Sequence, residues 1–178
     1  MDEKRLRIAE SNFRSYLRNG LVKKENFREV IYQTYLNNST ESLNVANEIF
    51  KNRTSFLWVV VSSYYSMFYI VCAYLYKKGY KVGQEIVHQV VNEALIVLSK
   101  SDLEKHFLEE YEEEKEKALI ASDNLLKDYE FEKTKRASFQ YETTEAIKEA
   151  KAKTSLERAK NFVVIIRQLL RNYSESHK

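Results

Sequence analysis

Apolar positions return every three or four residues along most of the chain, and strict alternation is nowhere sustained. This pattern predicts helices. From Glu3 to about Arg18, Leu6, Ala9, Phe13 and Tyr16 share a face opposite Arg7, Arg14 and Arg18, and Gly20 follows as a stop. A second periodic stretch starts near Asn26, with Tyr32, Leu36, Ser39, Leu43, Ala46 and Phe50 in unbroken register. Within it Asn37–Thr40 is poor in helix formers, and Asn38 with Glu41 has the spacing of a capping box, so one helix or two stays open over 26–50. Thr54 to Tyr76 (TSFLWVVVSSYYSMFYIVCAYLY) contains no charged residue and is bounded by Arg53, Lys77, Lys78 and Gly79.

Beyond a short turn at Gly79–Gly83, Ile86, Val87, Val90, Val91, Ala94, Leu95 and Leu98 form a compact apolar face. Ser101 and Glu104 predict a capping box for a further helix reaching about Lys135, with Leu108, Tyr111, Lys115, Ala118, Ser122, Leu125 and Tyr129 on one side. Its acidic segment, Glu109–Lys117, reads as a solvated face laced by i,i+4 ion pairs. Arg136–Thr144 breaks the pattern. A last helix is expected over Glu145–Asn172, with Ala152, Leu156, Ala159, Phe162, Val163, Ile166 and Leu170 inward and Lys153, Lys160, Arg167 and Arg171 outside. Residues 174–178 read as a frayed tail.

The uncharged stretch would extend roughly 34 Å as a helix, long enough to cross a bilayer. Ser55, Ser62, Ser66, Tyr69, Ala73 and Tyr76 nevertheless form one stripe of small and hydroxyl side chains. Such a stripe suits packing against neighbouring helices better than lipid, and every other segment offers an apolar face in need of a partner. The expected fold is therefore all-α: an up-and-down bundle of five to six helices in one domain spanning 1–178, with no membrane span.

Composition sharpens this picture. The absence of Pro and the presence of only three Gly in 178 residues remove the usual punctuation of strands and hairpins. A net charge of +3 with 31% charged residues describes a mixed surface, compatible with nucleic acid without implying it. Cys72, the single cysteine, excludes a disulfide framework and suits a reducing compartment. The opening MDEKRLRIAE has no apolar signal core, so a cytoplasmic location is expected.

Conventional catalytic constellations are missing: there is no HExxH, Cys pair, glycine-rich phosphate loop or serine elbow. No metal site and no cofactor are expected. His106 and His177 read as solvent-exposed, and His88 sits beside an apolar face. Tyr64, Tyr65, Tyr69, Tyr74 and Tyr76 fit a core whose hydroxyls bond across helices, or in part a groove on which bases stack. The basic stripes fit solvated faces, or a track for phosphates.

Four ordered pieces carry a family resemblance. Ser63-Tyr64-Tyr65-Ser66-Met67-Phe68-Tyr69 with Ala73-Tyr74-Leu75 and Gly79 resembles a helix of HEPN domains (higher eukaryotes and prokaryotes nucleotide-binding). His88-Gln89-Val90-Val91 is similar to that family's H-x-x-V element, with three extra residues ahead of it. Arg136 with Gln140-Tyr141 resembles its R-x-x-A-D-Y element, and Ala152, Leu156, Ala159, Phe162 and Val163 its final helix. The resemblance covers Glu41 to Leu170, leaving 1–40 as an N-terminal helical extension to a core at 41–173.

The resemblance implies a homodimer that binds RNA or nucleotide and works with a nucleotidyltransferase-type or toxin–antitoxin partner. Active members are metal-independent RNases using R-x4-6-H. Here Tyr141, Glu142 and Thr143 fill the window after Arg136 and none is histidine, so the general acid–base player is missing. Arg136 could still hold a phosphate bidentately beside Tyr141, and His88 could substitute if folding brings it near. The candidate binding set is Arg136, Tyr141, Tyr65, Tyr69, Lys153, Lys160 and Arg167, with Arg136, Tyr141 and His88 as catalytic candidates. The rival readings are an RNase with this degenerate site and a non-catalytic dimerisation module.

Overall fold

A computed structural model describes the backbone over residues 2–134 and 145–176, and side-chain surroundings over 2–123 and 145–175. The elements run α1 (Glu3–Arg18), β1 (Val22–Lys24), α2 (Glu29–Lys51), α3 (Phe56–Lys77), β2 (Tyr80–Val82), α4 (Val87–Ser99), α5 (Lys105–Thr134) and α6 (Glu145–Ser176). The architecture is the expected all-α bundle, with six helices and, unexpectedly, two short strands among the described residues.

The uncharged stretch becomes α3, capped by Ser55, whose hydroxyl accepts from the Trp58 N–H at 3.4 Å. Because α3 is apolar on all sides, it is stable in water only if neighbours surround it. It packs against α2, α4, α5, α6 and β2, and 72% of its most apolar window is buried. Val59, Tyr64, Met67, Ile70, Val71, Ala73, Leu75 and Tyr76 have no exposed surface. From α6, Ala152, Leu156, Ala159, Phe162, Val163, Ile166 and Leu170 are buried as the periodicity requires.

The ambiguity over 26–50 resolves as one unbroken helix, beginning at Glu29 rather than near Asn26. Ser39, the weak helix former in its middle, has no exposed surface, and its hydroxyl donates to the Ser66 carbonyl of α3 at 2.8 Å. A small residue there lets the two backbones approach, so tertiary packing overrides local propensity.

Five further expectations are corrected. Gly79–Gly83 is more than a turn: Tyr80–Val82 pairs antiparallel with Val22–Lys24, in the register Val22↔Val82, Lys23↔Lys81, Lys24↔Tyr80. Ile86 lies outside the apolar face, 56% exposed at φ +40°, and α4 starts after it. The Ser101–Glu104 capping box does not form, since α5 begins at Lys105 and Ser101 lies ahead of the cap position, its hydroxyl donating to Asp102 at 2.6 Å. The acidic face of α5 is only partly solvated: the Glu114 side chain is fully buried, paired with Lys117 at 2.8 Å and Arg158 at 3.0 Å. The last helix also continues through Ser176, past the tail expected to fray from Ser174.

Charge fastens α1 to the bundle. Arg5 grips Glu93 with two hydrogen bonds, at 2.8 and 2.9 Å, and Glu112 with two more, at 2.6 and 3.0 Å. The Glu93 side chain is 7% exposed, so removing the guanidinium strands a buried carboxylate. Arg5→Ala is expected to cost about 3 kcal/mol, whereas Arg7→Ala, whose pair with Glu3 is exposed, costs under about 0.5 kcal/mol. Urea denaturation of the two variants measures the contrast.

A second polar clasp closes the far end of α3. Asp102 accepts from the Tyr74 hydroxyl and from Lys78 Nζ, each at 2.7 Å. Burial would raise the Asp102 pKa, but hydrogen bonds from Lys78, Ser101 and Tyr74 outweigh it and hold the group at about 2, against an ordinary 3.8. The native state thus binds fewer protons than the unfolded chain in this window. Asp102 contributes stability fully above about pH 4, and that contribution is lost as pH falls toward 2. Thermal melts across this range should show a shallower acid decline in Asp102→Asn than in the parent.

Candidate functional site

The residues with chemistry gather beside α3. A cleft of about 510 Å³ is lined by Tyr35 of α2, by Tyr65, Phe68, Tyr69 and Cys72 of α3, by β2 with Gly83 and Gln84, and by Val87 and His88 at the start of α4. Its volume falls in the range of ligand sites, and it draws on several elements. A comparable concavity near the N-terminus, about 530 Å³, is lined by Asp2 to Ser11 of one helical segment and lacks aromatic residues.

The ribbon positions one wall of this cleft. Gly79 takes φ +87°, a conformation that glycine adopts without strain, and ends α3 so that the chain can reverse. At Gly83 a Cβ would lie 3.4 Å from the Leu21 carbonyl oxygen, where the Gly83 N–H donates at 2.8 Å. The chain then turns through Ile86, a β-branched residue held at positive φ, before presenting Val87 and His88. Such strain persists only where the surroundings fix it.

His88 stands among aromatic rings, with centroids 4.9 Å from Phe68, 5.5 Å from Tyr64 and 5.7 Å from Tyr65. Its Nδ1 lies 2.8 Å from the Tyr64 hydroxyl, so with the ring proton on Nε2, Tyr64 donates to Nδ1. Burial, and then the positive charge of Lys115, lowers the His88 pKa below its ordinary value. The imidazole is therefore neutral at pH 7. Burial also raises the tyrosine hydroxyls, Tyr35 to about 12, and Tyr69 in the same direction. They stay protonated and able to donate.

Tyr65 and Tyr69, four residues apart on α3, have ring centroids 6.0 Å apart and are half-buried. The same two side chains also line a shallower concavity with Val45 and Trp58, and Trp58 is 47% exposed. An aromatic strip thus runs from His88 along α3 to Trp58.

Among the candidate residues, the fold brings together Tyr65, Tyr69 and His88. It does not bring the α6 cations to them. Lys153 is exposed, Lys160 pairs with Glu157 at 2.9 Å, and Arg167 donates to the Thr40 hydroxyl at 2.7 Å. None of the three lines the cleft. Arg136 and Tyr141 lie outside the described residues, as does the expected meeting of Arg136 with His88. Tyr35, Lys81 and Gln84 were missed in the sequence. Tyr35 stands outside the periodic set of α2 that runs from Tyr32 to Phe50, a three-residue strand gives no periodic signal, and only the Gly79–Gly83 spacing marked the place.

Chemically, the cleft offers aromatic faces, a neutral imidazole, hydroxyl donors and one ammonium, Lys81. Among the described residues no carboxylate or arginine lines it, and no three His, Cys, Asp or Glu side chains are placed to hold a metal ion. This arrangement can stack on and hydrogen-bond a flat polar ring. No family model matches the chain, nor does any curated protein or solved structure.

His88 is expected to titrate below an ordinary histidine, and Lys115→Gln should move it upward by removing the positive charge that disfavours the protonated ring. Proton NMR of the histidine ring signals, with His88→Gln for assignment, measures both.

Proposed function

We propose that the protein is a HEPN-like helical bundle, with residues 1–40 as an N-terminal extension, which binds RNA or nucleotide through the aromatic cleft at Tyr65, Tyr69 and His88. In this reading it acts as a cytoplasmic homodimer alongside a nucleotidyltransferase-type or toxin–antitoxin partner. Arg136 and Tyr141 contribute phosphate contacts, while Lys153, Lys160 and Arg167, which do not line the cleft, meet phosphates of a longer RNA beyond it. The observation that carries the binding claim is the convergence of Tyr65, Tyr69, Phe68 and His88 on one open cleft. Aromatic side chains on which bases stack are the recurring device for holding unpaired nucleotides.

Binding is favoured over cleavage by the chemistry of the wall. With the ring proton on Nε2 and Nδ1 accepting from Tyr64, His88 leaves no free lone pair for a general base, and among the described residues no arginine lines the cleft to stabilise a phosphorane. The RNase reading therefore depends on Arg136 reaching His88. The interaction-module reading draws on the exposed Trp58 and Val45 beside the same strip.

Fluorescence polarisation with a labelled single-stranded RNA and a labelled nucleotide tests the proposal. Tyr65→Ala is expected to weaken binding by about 1–3 kcal/mol, the usual worth of one stacked base. Absence of binding at low salt, for both probes, contradicts it. Incubation with RNA in EDTA separates the enzymatic rival: cleavage abolished by His88→Gln would favour that rival.

A further inference from the structure

The strand register sets a second cation opposite the one that lines the aromatic cleft, away from the basic stripes evident in the sequence. Lys23 and Lys81 are direct cross-strand partners in the β1–β2 ribbon. Side chains so placed share a face, with Cβ atoms roughly 5 Å apart, and like charges there oppose folding. Lys81 also lines the cleft.

The neighbouring chain deepens the imbalance. Residues 22–28 and 77–84 hold Lys23, Lys24, Arg28, Lys77, Lys78 and Lys81 against a single carboxylate, Glu25. Glu25 takes both Arg28 and Lys81, each at 3.1 Å, and Asp102 takes Lys78 at 2.7 Å. Lys77 lies over the Phe27 ring at 4.4 Å. Lys23 and Lys24 are exposed and form no ion pair among the described residues. Lys81 shares Glu25 with Arg28, while Lys23, its partner on the facing strand, has no ion pair among the described residues; a like-charged pair so short of carboxylate beside the cleft suits an anion delivered by a ligand.

We infer that the β1–β2 ribbon is a phosphate subsite: a nucleoside phosphate lies with its base in the aromatic cleft and its phosphate on Lys81 and Lys23. This rests on the reading that the cleft accepts a base. The chemistry is shared by a free nucleotide and by the 5′-phosphorylated end of an RNA. Lys81 extends from the cleft wall and Lys23 from the facing strand, so the phosphate meets two ammonium groups as the ring enters between Tyr65, Tyr69 and His88.

Isothermal titration of the full chain with adenosine, with AMP and with a short 5′-phosphorylated oligoribonucleotide tests it. The parent is expected to bind AMP roughly tenfold more tightly than adenosine, with an advantage that shrinks as salt rises. The double variant Lys23→Gln, Lys81→Gln should lose that advantage, its affinity for AMP falling about tenfold more than its affinity for adenosine. Lys4→Gln, a charge change on α1, should leave both affinities unaltered. An oligoribonucleotide tighter than AMP, and sensitive to the same double variant, assigns the subsite to an RNA end; an equal affinity assigns it to free nucleotide. Equal binding of adenosine and AMP by the parent, or an AMP preference that survives the double variant, overturns the ribbon subsite and leaves base binding standing. If none of the three probes binds, base binding falls, and the ribbon subsite with it.

Discussion

A helix without a charged residue cannot face water, and the other elements are arranged to meet that constraint on α3. Burying such a helix on several sides also buries its tyrosines, each of which brings a hydroxyl needing a partner. The partners chosen define much of the tertiary structure. Tyr74 reaches Asp102, where Lys78 joins it. Tyr76 donates to the Asn26 carbonyl at 3.2 Å and accepts from the Arg28 N–H at 3.1 Å, fixing the approach to α2. Tyr64 reaches His88 at the start of α4. Where the wrapping is incomplete, Tyr65 and Tyr69 stay half-exposed, and the cleft lies there. The candidate site is thus the unwrapped margin of the same helix that organises the core.

The bundle itself was legible because a 3.6-residue period survives in every long segment: Ala9, Phe13 and Tyr16, or Ala152, Leu156 and Ala159, are buried where the pattern puts them. Legibility failed where burial is decided by a partner distant in sequence. Ser39 reads locally as a weak point and is in fact the close contact to Ser66. Glu114 reads as one of several solvated carboxylates, yet its position facing Arg158 buries it. The strands were invisible since three residues cannot display alternation, and the register that sets Lys23 opposite Lys81 is a property of two loops brought together.

The site was legible in part for the same reason. Tyr65 and Tyr69 stand one helical turn apart, so their common face follows from spacing alone. His88 joins them only through the turn from β2 into α4, which local sequence marks by little more than two glycines. The cations of α6 form a stripe in sequence, but in the fold they pair with Glu157 or reach Thr40. The charges at the cleft come from the ribbon.

Every part of this account depends on α3 being enclosed by its own chain. Amide hydrogen exchange on protein purified without detergent tests that most directly. The account predicts that the amides of Val59 to Tyr76 exchange as slowly as any in the molecule, at the rate set by global unfolding. Rapid exchange along this helix, or protection that appears only when detergent is added, would contradict it.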